Sequence, residues 1–286
     1  MSTQVTTSFV KQYAKTVFTL AQQEKSRLRP AVRVDTGIVG TGKYYDRIGT
    51  KTMQAMTSRH GDTPQNDTPH SRRHLPILWY NDADMMDTAD SLAMLIDPKS
   101  DYIDAQAYAA GRRIDQTIID ALGGTAATGV AGAGSQALST AQKIAHASAG
   151  LNFSKVRNAK DVLDAAEVPD EDRYFVVTSY QMNQDLLGIE QATSADYVVK
   201  ALQKGEIPFW MGFKWIRSEL LTTTSSITYC YAFQKRGLQL GFAKDTRAIV
   251  GQRPDKNYSW QGYTELGLGA VRMAEEFVVQ VACYEA

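Results

Sequence analysis

Residues 97–124 read DPKSDYIDAQAYAAGRRIDQTIIDALGG, and this stretch decides the fold class. Ile103, Ala107, Ala110, Ile114, Ile118 and Leu122 recur at steps of three or four, which lines one face of a helix with apolar side chains. Asp97 and Pro98 stand where a helix starts, and Gly123 with Gly124 where one stops. The spacing predicts a helix over 97–122, about 30 Å long at 1.5 Å per residue. An apolar stripe of that length needs a partner layer, and the sequence beyond it is rich in strands.

Downstream, RYFVVTS (173–179) is a short continuous apolar run of the kind expected of a buried central strand. FWMGFKWIRS (209–218) alternates aromatic and polar residues, ITYCYAFQKRGLQLGFA (227–243) is strand-rich, and 270–285 reads as another strand or pair of strands. Helices are expected at 8–27, where Phe9, Tyr13, Val17 and Leu20 are helically spaced, and at 140–149 and 154–166. QMNQDLLGI (181–189) is expected to form a further helix packed on RYFVVTS. The plan is α+β, with helices covering a mixed sheet and extended arms leaving it.

Upstream, Val32, Val34, Tyr44 and Tyr45 lie in short strand-like pieces around glycines, and LPILWY (75–80) is a second strand. Between them runs a polar stretch, 56–73, holding Pro64, Pro69, Arg59, Arg72 and Arg73. It reads as the tip of a long two-stranded excursion, and a loop of that length without its own core is expected to be ordered by a neighbouring subunit. The acidic NDADMMDTAD (81–90) reads as a helix start and as charge complement to the basic loop. Arg59, Arg72, Arg73, Asp82, Asp84 and Asp87 are therefore the candidate subunit-interface residues. GGTAATGVAGAGSQ (123–136) carries no charge and suits a flexible surface loop.

Thirty-one Lys plus Arg balance thirty-one Asp plus Glu, so no global field draws the chain to nucleic acid or an anionic membrane. The start, MSTQVTTSF, lacks the basic and apolar regions of a secretory signal, and no apolar run approaches a membrane span. A soluble protein made in the cytoplasm is the expectation. Cys230 and Cys283 stand in apolar surroundings without CxxC spacing, which predicts reduced, buried thiols.

Several local patterns resemble chemical motifs and fail on context. Gly37 to Lys43 fits the first seven positions of GxxxxGK[ST], but Tyr44 replaces the hydroxyl that must reach magnesium, and KYYDRIG is β-like where a helix must open. Its glycines read as turns in a twisted hairpin. Gly132, Gly134 and Ala137 fit GxGxxA without a preceding strand. His60, His70 and His74 stand among arginines that oppose a bound cation. Asp82 and Asp84 begin a calcium-like run, but its sixth and twelfth places hold Asp87 and Ala93 instead of glycine and glutamate. No GxSxG elbow or HExxH occurs. No catalytic residue, cofactor or metal is expected.

Taken in order, AGRRIDQTIIDALGG (110–124), DVLDAAEVPDEDRYFVVTSYQMNQDLL (161–187), LQKGEIPFWMGFKWIRSE (202–219) and GAVRMAEEFVVQVACYEA (269–286) resemble tailed-phage major capsid proteins of the Hong Kong 97-type fold. The resemblance covers nearly the whole chain and rests on order and length, not on an invariant motif. It implies an N-terminal arm over 1–30, an extended loop over 31–80, and a peripheral domain over 81–178 with the spine helix at 97–122. It further implies an axial domain over 179–243 and a return to the peripheral domain over 244–286. The implied function is a shell subunit that forms hexamers and pentamers of an icosahedral head, located in the virion. The implied partners are the chain itself, a separate scaffolding protein, a portal, and packaged double-stranded DNA held by non-specific contact. An encapsulin-like nanocompartment shell on the same fold and a nucleotide-binding enzyme using Gly37 to Lys43 are the competing readings.

Overall fold

The computed structural model describes residues 22–56, 58–59, 61, 65–87, 99–188 and 209–285. The long helix is there: α1 spans Lys99–Gly123. Ala110, Ile114, Ile118 and Leu122 of its stripe are buried, as is Ile119 beside them, while Ile103 is half-buried and Ala107 exposed. It lies against a four-stranded sheet with strand order β1 (Arg33–Thr36), β13 (Leu238–Arg253), β14 (Ser259–Arg272) and β4 (Leu78–Met86). Leu238, Leu240 and Phe242 of β13 and Leu266 and Leu268 of β14 complete this part of the core.

A second sheet runs β7 (Lys143–Ile144), β15 (Val278–Tyr284), β12 (Ile227–Gln234), β8 (Arg173–Val177), β10 (Phe213–Arg217) and β9 (Phe209–Trp210), with β11 (Thr223–Thr224) pairing β12. The continuous apolar run RYFVV is central here, parallel to β10 and antiparallel to β12. Phe175 stacks on Trp215 with centroids 4.5 Å apart and meets Phe213 edge-on at 5.5 Å. Offset and edge-to-face contacts of this kind suit the ring quadrupoles. Helix α2 (Phe153–Ala165) covers this sheet, its Asn152 side chain capping the Lys155 amide. The third sheet, β2 (Gly42–Ile48), β3 (His70–Pro76), β5 (Ala126–Thr128) and β6 (Gly134–Gln136), builds the excursion and its root.

Six sequence expectations need correction. The glycine-rich stretch 123–136 contains the β5–β6 pair, and β5 pairs β3. Residues 140–149 are not a helix: one 3-10 turn, Thr140–Gln142, gives way to β7, because Ile144 pairs with Val281 of β15. The acidic run does not start a helix over 81–86, where β4 pairs β14 through nine rungs from Leu268↔Leu78 to Trp260↔Met86. Strands β1 and β2 do not form a hairpin with each other. Gly37 and Gly40, at φ +75° and +93°, carry the chain from the first sheet to the third instead. The helix expected over 8–27 does not include 22–27, which is irregular, and its remainder lies outside the described residues. The helix expected at 181–189 is a single π-helical segment, Gln181–Leu186.

Residues 23–28 are irregular because they are tied side-on to α1. Buried Asp115 accepts hydrogen bonds from Gln23 Nε2 (2.5 Å), Ser26 Oγ (2.5 Å), Arg27 N (2.9 Å) and Leu28 N (3.0 Å). Gly111 lets the two backbones meet, since a Cβ there would sit 3.2 Å from Ser26 N. Four donors on one carboxylate fix the segment before β1 to the helix.

Candidate assembly interface

The excursion is a β-ribbon whose rungs run from Gly42↔Pro76 to Ile48↔His70. Its register sets Asp46 opposite Arg72, and Arg72 Nε and Nη2 donate to the Asp46 carboxylate at 2.6 and 3.3 Å. These bonds hold the Asp46 carboxyl below its ordinary pKa. Tyr44 stacks on His74 at 4.5 Å. The Gly49 amide donates to Pro69 O at 2.9 Å, closing the ribbon, and 50–56 and 65–68 lie beyond it. Ile48, Met53 and Met56 leave 71%, 102% and 88% of their surface exposed, together with Lys51 and Arg59. Apolar groups presented on an arm gain free energy only when another surface covers them.

The root of the ribbon is rigid. Arg73, 4% exposed, donates to both oxygens of Glu275 at 2.7 and 2.9 Å and to Met273 O. Arg47 Nη1 donates to the same Met273 carbonyl at 2.5 Å. Arg272, fully buried and 3.7 Å from Glu275, sends Nη1 to the carbonyls of Ala121, Leu122 and Gly124 and Nη2 to that of Gln136. A cation among the terminal carbonyls of a helix satisfies both the orphaned acceptors and the dipole. Burial pulls the pKa of Arg73 and Arg272 down from the arginine value, and Glu275 opposes this. One glutamate thus ties the ribbon to the C-terminus of α1.

The six interface candidates do not converge within one subunit. Arg73 is engaged within its own subunit, its guanidinium enclosed at the ribbon root by Glu275 and Met273 O. Arg72 is engaged by Asp46, and Arg59 is exposed. Asp84 accepts from Gln106 at 3.0 Å, and Asp87 accepts from Ser259 Oγ. Asp82 is exposed and has no ion-pair partner among the described residues. Gly37 to Lys43 opens no helix, and Lys43 is held by Asp35. Gly129 and Gly132 have positive φ in the β5–β6 turn, so the GxGxxA pattern also serves a turn. His74 belongs to the Tyr44 stack, and His60 lies outside the described residues. Cys230 and Cys283 are free and buried as expected. The neighbouring Cys283 thiol and burial raise the Cys230 pKa, which keeps it protonated.

Sequence reading missed two features. Lys155 is 5% exposed and donates to His146 O, Ala149 O and Ala282 O at 2.8, 2.6 and 2.9 Å, joining a loop to β15. Beside β1, an open groove of about 700 Å³ is bordered by Arg29, Pro30, Val32, Arg33, Val34 and Lys235. Its basic groups come from positions some two hundred residues apart, which no local motif could bring together.

A family described as phage capsid protein matches residues 5–285. Comparison with curated proteins finds no match. The chain is similar to the capsid structure of cyanophage P-SCSP1u, at 14% identity and TM-score 0.75, covering 100% of this chain and 95% of that one. It is also similar to a structure of Mycobacterium phage Che8, at 17% identity and TM-score 0.74, covering 96% and 97%. The capsid of a native GTA particle matches at 13% identity and TM-score 0.70, covering 98% and 96%.

Proposed function

The chain belongs to the phage capsid protein family, and from that premise we propose that its copies close into hexamers and pentamers of an icosahedral head around double-stranded DNA. It is a major capsid protein with the Hong Kong 97-type fold. Its work is mechanical and not catalytic. The two helical and sheet layers form a rigid tile, and the ribbon β2–β3 reaches away from it.

The observation that carries the assembly reading is the exposed apolar end of that ribbon. Ile48, Met53 and Met56 project from an arm whose root is fixed by Arg73, Glu275 and Arg272. A fixed arm with a greasy end favours overlap with a neighbouring copy. Arg59, the strand residues Asp82 and Asp84, and Asp87 just after them belong to such contacts in this proposal, while Arg72 acts through Asp46 within its own ribbon. The peripheral part is α1 with the first sheet, and the axial part is built on the second sheet. Strand β15 then belongs with the axial part, because it pairs β12. A scaffolding protein and a portal are the remaining proposed partners, and the DNA contact is local and non-specific, since a chain with no net charge offers phosphates no global attraction.

The test is a size measurement on the ribbon. Removing 51–67, while keeping the Gly49–Pro69 closure, is expected to leave a folded subunit that no longer forms large particles by light scattering. Normal particles from that variant would contradict the reading.

A further inference from the structure

The first sheet has two open edges, and they carry opposite charge. Its order β1-β13-β14-β4 leaves β1 unpaired on one side and β4 on the other, among the described residues. Strand β4 and the residue after it present Asp82, Asp84 and Asp87, between exposed Leu78, Trp79 and Met85. The groove beside β1 presents Arg33, Lys235 and Arg29 around Pro30, Val32 and Val34. Exposed Arg236 adjoins it in a smaller cavity shared with Arg33 and Lys235. Local acids are largely occupied: Asp245 holds Arg29, and Asp172 holds Lys214, which leaves Glu171 near Arg33. Arg33 and Asp82 have no ion-pair partner among the described residues.

We propose that strand β4 of one copy docks along the basic groove beside β1 of the next copy, with Asp82 facing Arg33 across the contact. This rests on the self-assembling reading above. Both chemistries match: the strand mixes apolar and acidic side chains, and the groove mixes apolar and basic ones. Two different edges of one sheet make the contact heterologous, so it repeats head to tail and closes into a ring when the rotation allows. Free backbone groups on both edges can join the sheets of neighbours, as an added strand does. A groove serving the DNA backbone would use its cationic and polar groups and leave the apolar ones uncovered. The floor of Pro30, Val32 and Val34 favours a protein strand.

The experiment compares the wild-type chain, Asp82→Lys, Arg33→Glu and the double swap by light scattering across protein concentration and salt. Each single reversal is expected to raise the concentration needed for assembly by roughly tenfold or more at low salt, and less at high salt. The double swap is expected to return it close to wild type, with unchanged thermal unfolding in all four proteins. A wild-type chain that never assembles would overturn the capsid reading itself. If the wild type assembles, single variants indistinguishable from it would overturn only this contact, as would a double swap no better than the singles. Lost binding to a short DNA duplex in Arg33→Glu, with assembly intact, would also overturn it and assign the groove to nucleic acid.

Discussion

Arg272 joins the end of α1 to β6 and to Glu275. Its guanidinium meets four carbonyls at the end of α1, at Gly124 and in β6 and lies beside Glu275, so Arg272→Ala leaves buried acceptors without a donor, while Glu275 keeps Arg73. The expected loss is about 3–5 kcal/mol, read by chemical denaturation. Gly269 is a steric counterpart: a Cβ there would lie 1.9 Å from Pro76 O, a backbone atom that cannot swing aside. Gly269→Ala is expected to cost about 1–3 kcal/mol or prevent folding, and a neutral substitution would show that β3 and β14 do not approach as described. Asp185 gives a pH signature. Burial raises its pKa above 3.8, so the protonated form is favoured in the folded state. Its contribution is present below the ordinary carboxylate pKa and is lost as pH rises through the elevated one. Asp185→Asn keeps an acceptor for the Leu151 amide and should flatten that part of the stability–pH curve. An identical curve for both proteins would contradict the burial assigned to Asp185.

Among the elements, those whose signal is periodic were legible and those made by partners were not. Helix α1 was readable because its apolar stripe repeats at the helical period, and its C-terminal limit, Gly123, falls one residue from the sequence expectation. RYFVV was readable because a strand buried on both faces needs no alternation. Strands β5 and β6 were not, since alanine and glycine carry little strand preference and their order comes from β3. Asp82 and Asp84 hid β4 for the same reason: aspartate disfavours strands, and pairing with β14 overrides it. Of the candidate site, the exposed ribbon was legible, whereas the strand that carries Asp82 and Asp84 and the enclosure of Arg73 were not. Glu275 lies two hundred and two positions away. The stripe itself can be tested: Ile118→Ala should cost about 2–5 kcal/mol through the cavity it leaves beneath the first sheet. A loss below about 1 kcal/mol would mean that α1 does not pack there. Excising 51–67 should instead change stability by no more than about 1 kcal/mol, because the connection adds little to its own subunit's core.

At the scale of the molecule, a tile with a fixed arm and charged sheet edges makes sense only in numbers. Among the described residues of one copy, nothing covers Met53 and Met56, pairs Asp82, or closes the open edges of the first sheet. The account therefore turns on whether copies assemble into closed particles, and electron microscopy of the purified protein asks this directly. Closed shells, or flat hexameric sheets with occasional fivefold closure, are the predicted result. A uniform population of monomers or small oligomers at every concentration and salt would contradict it.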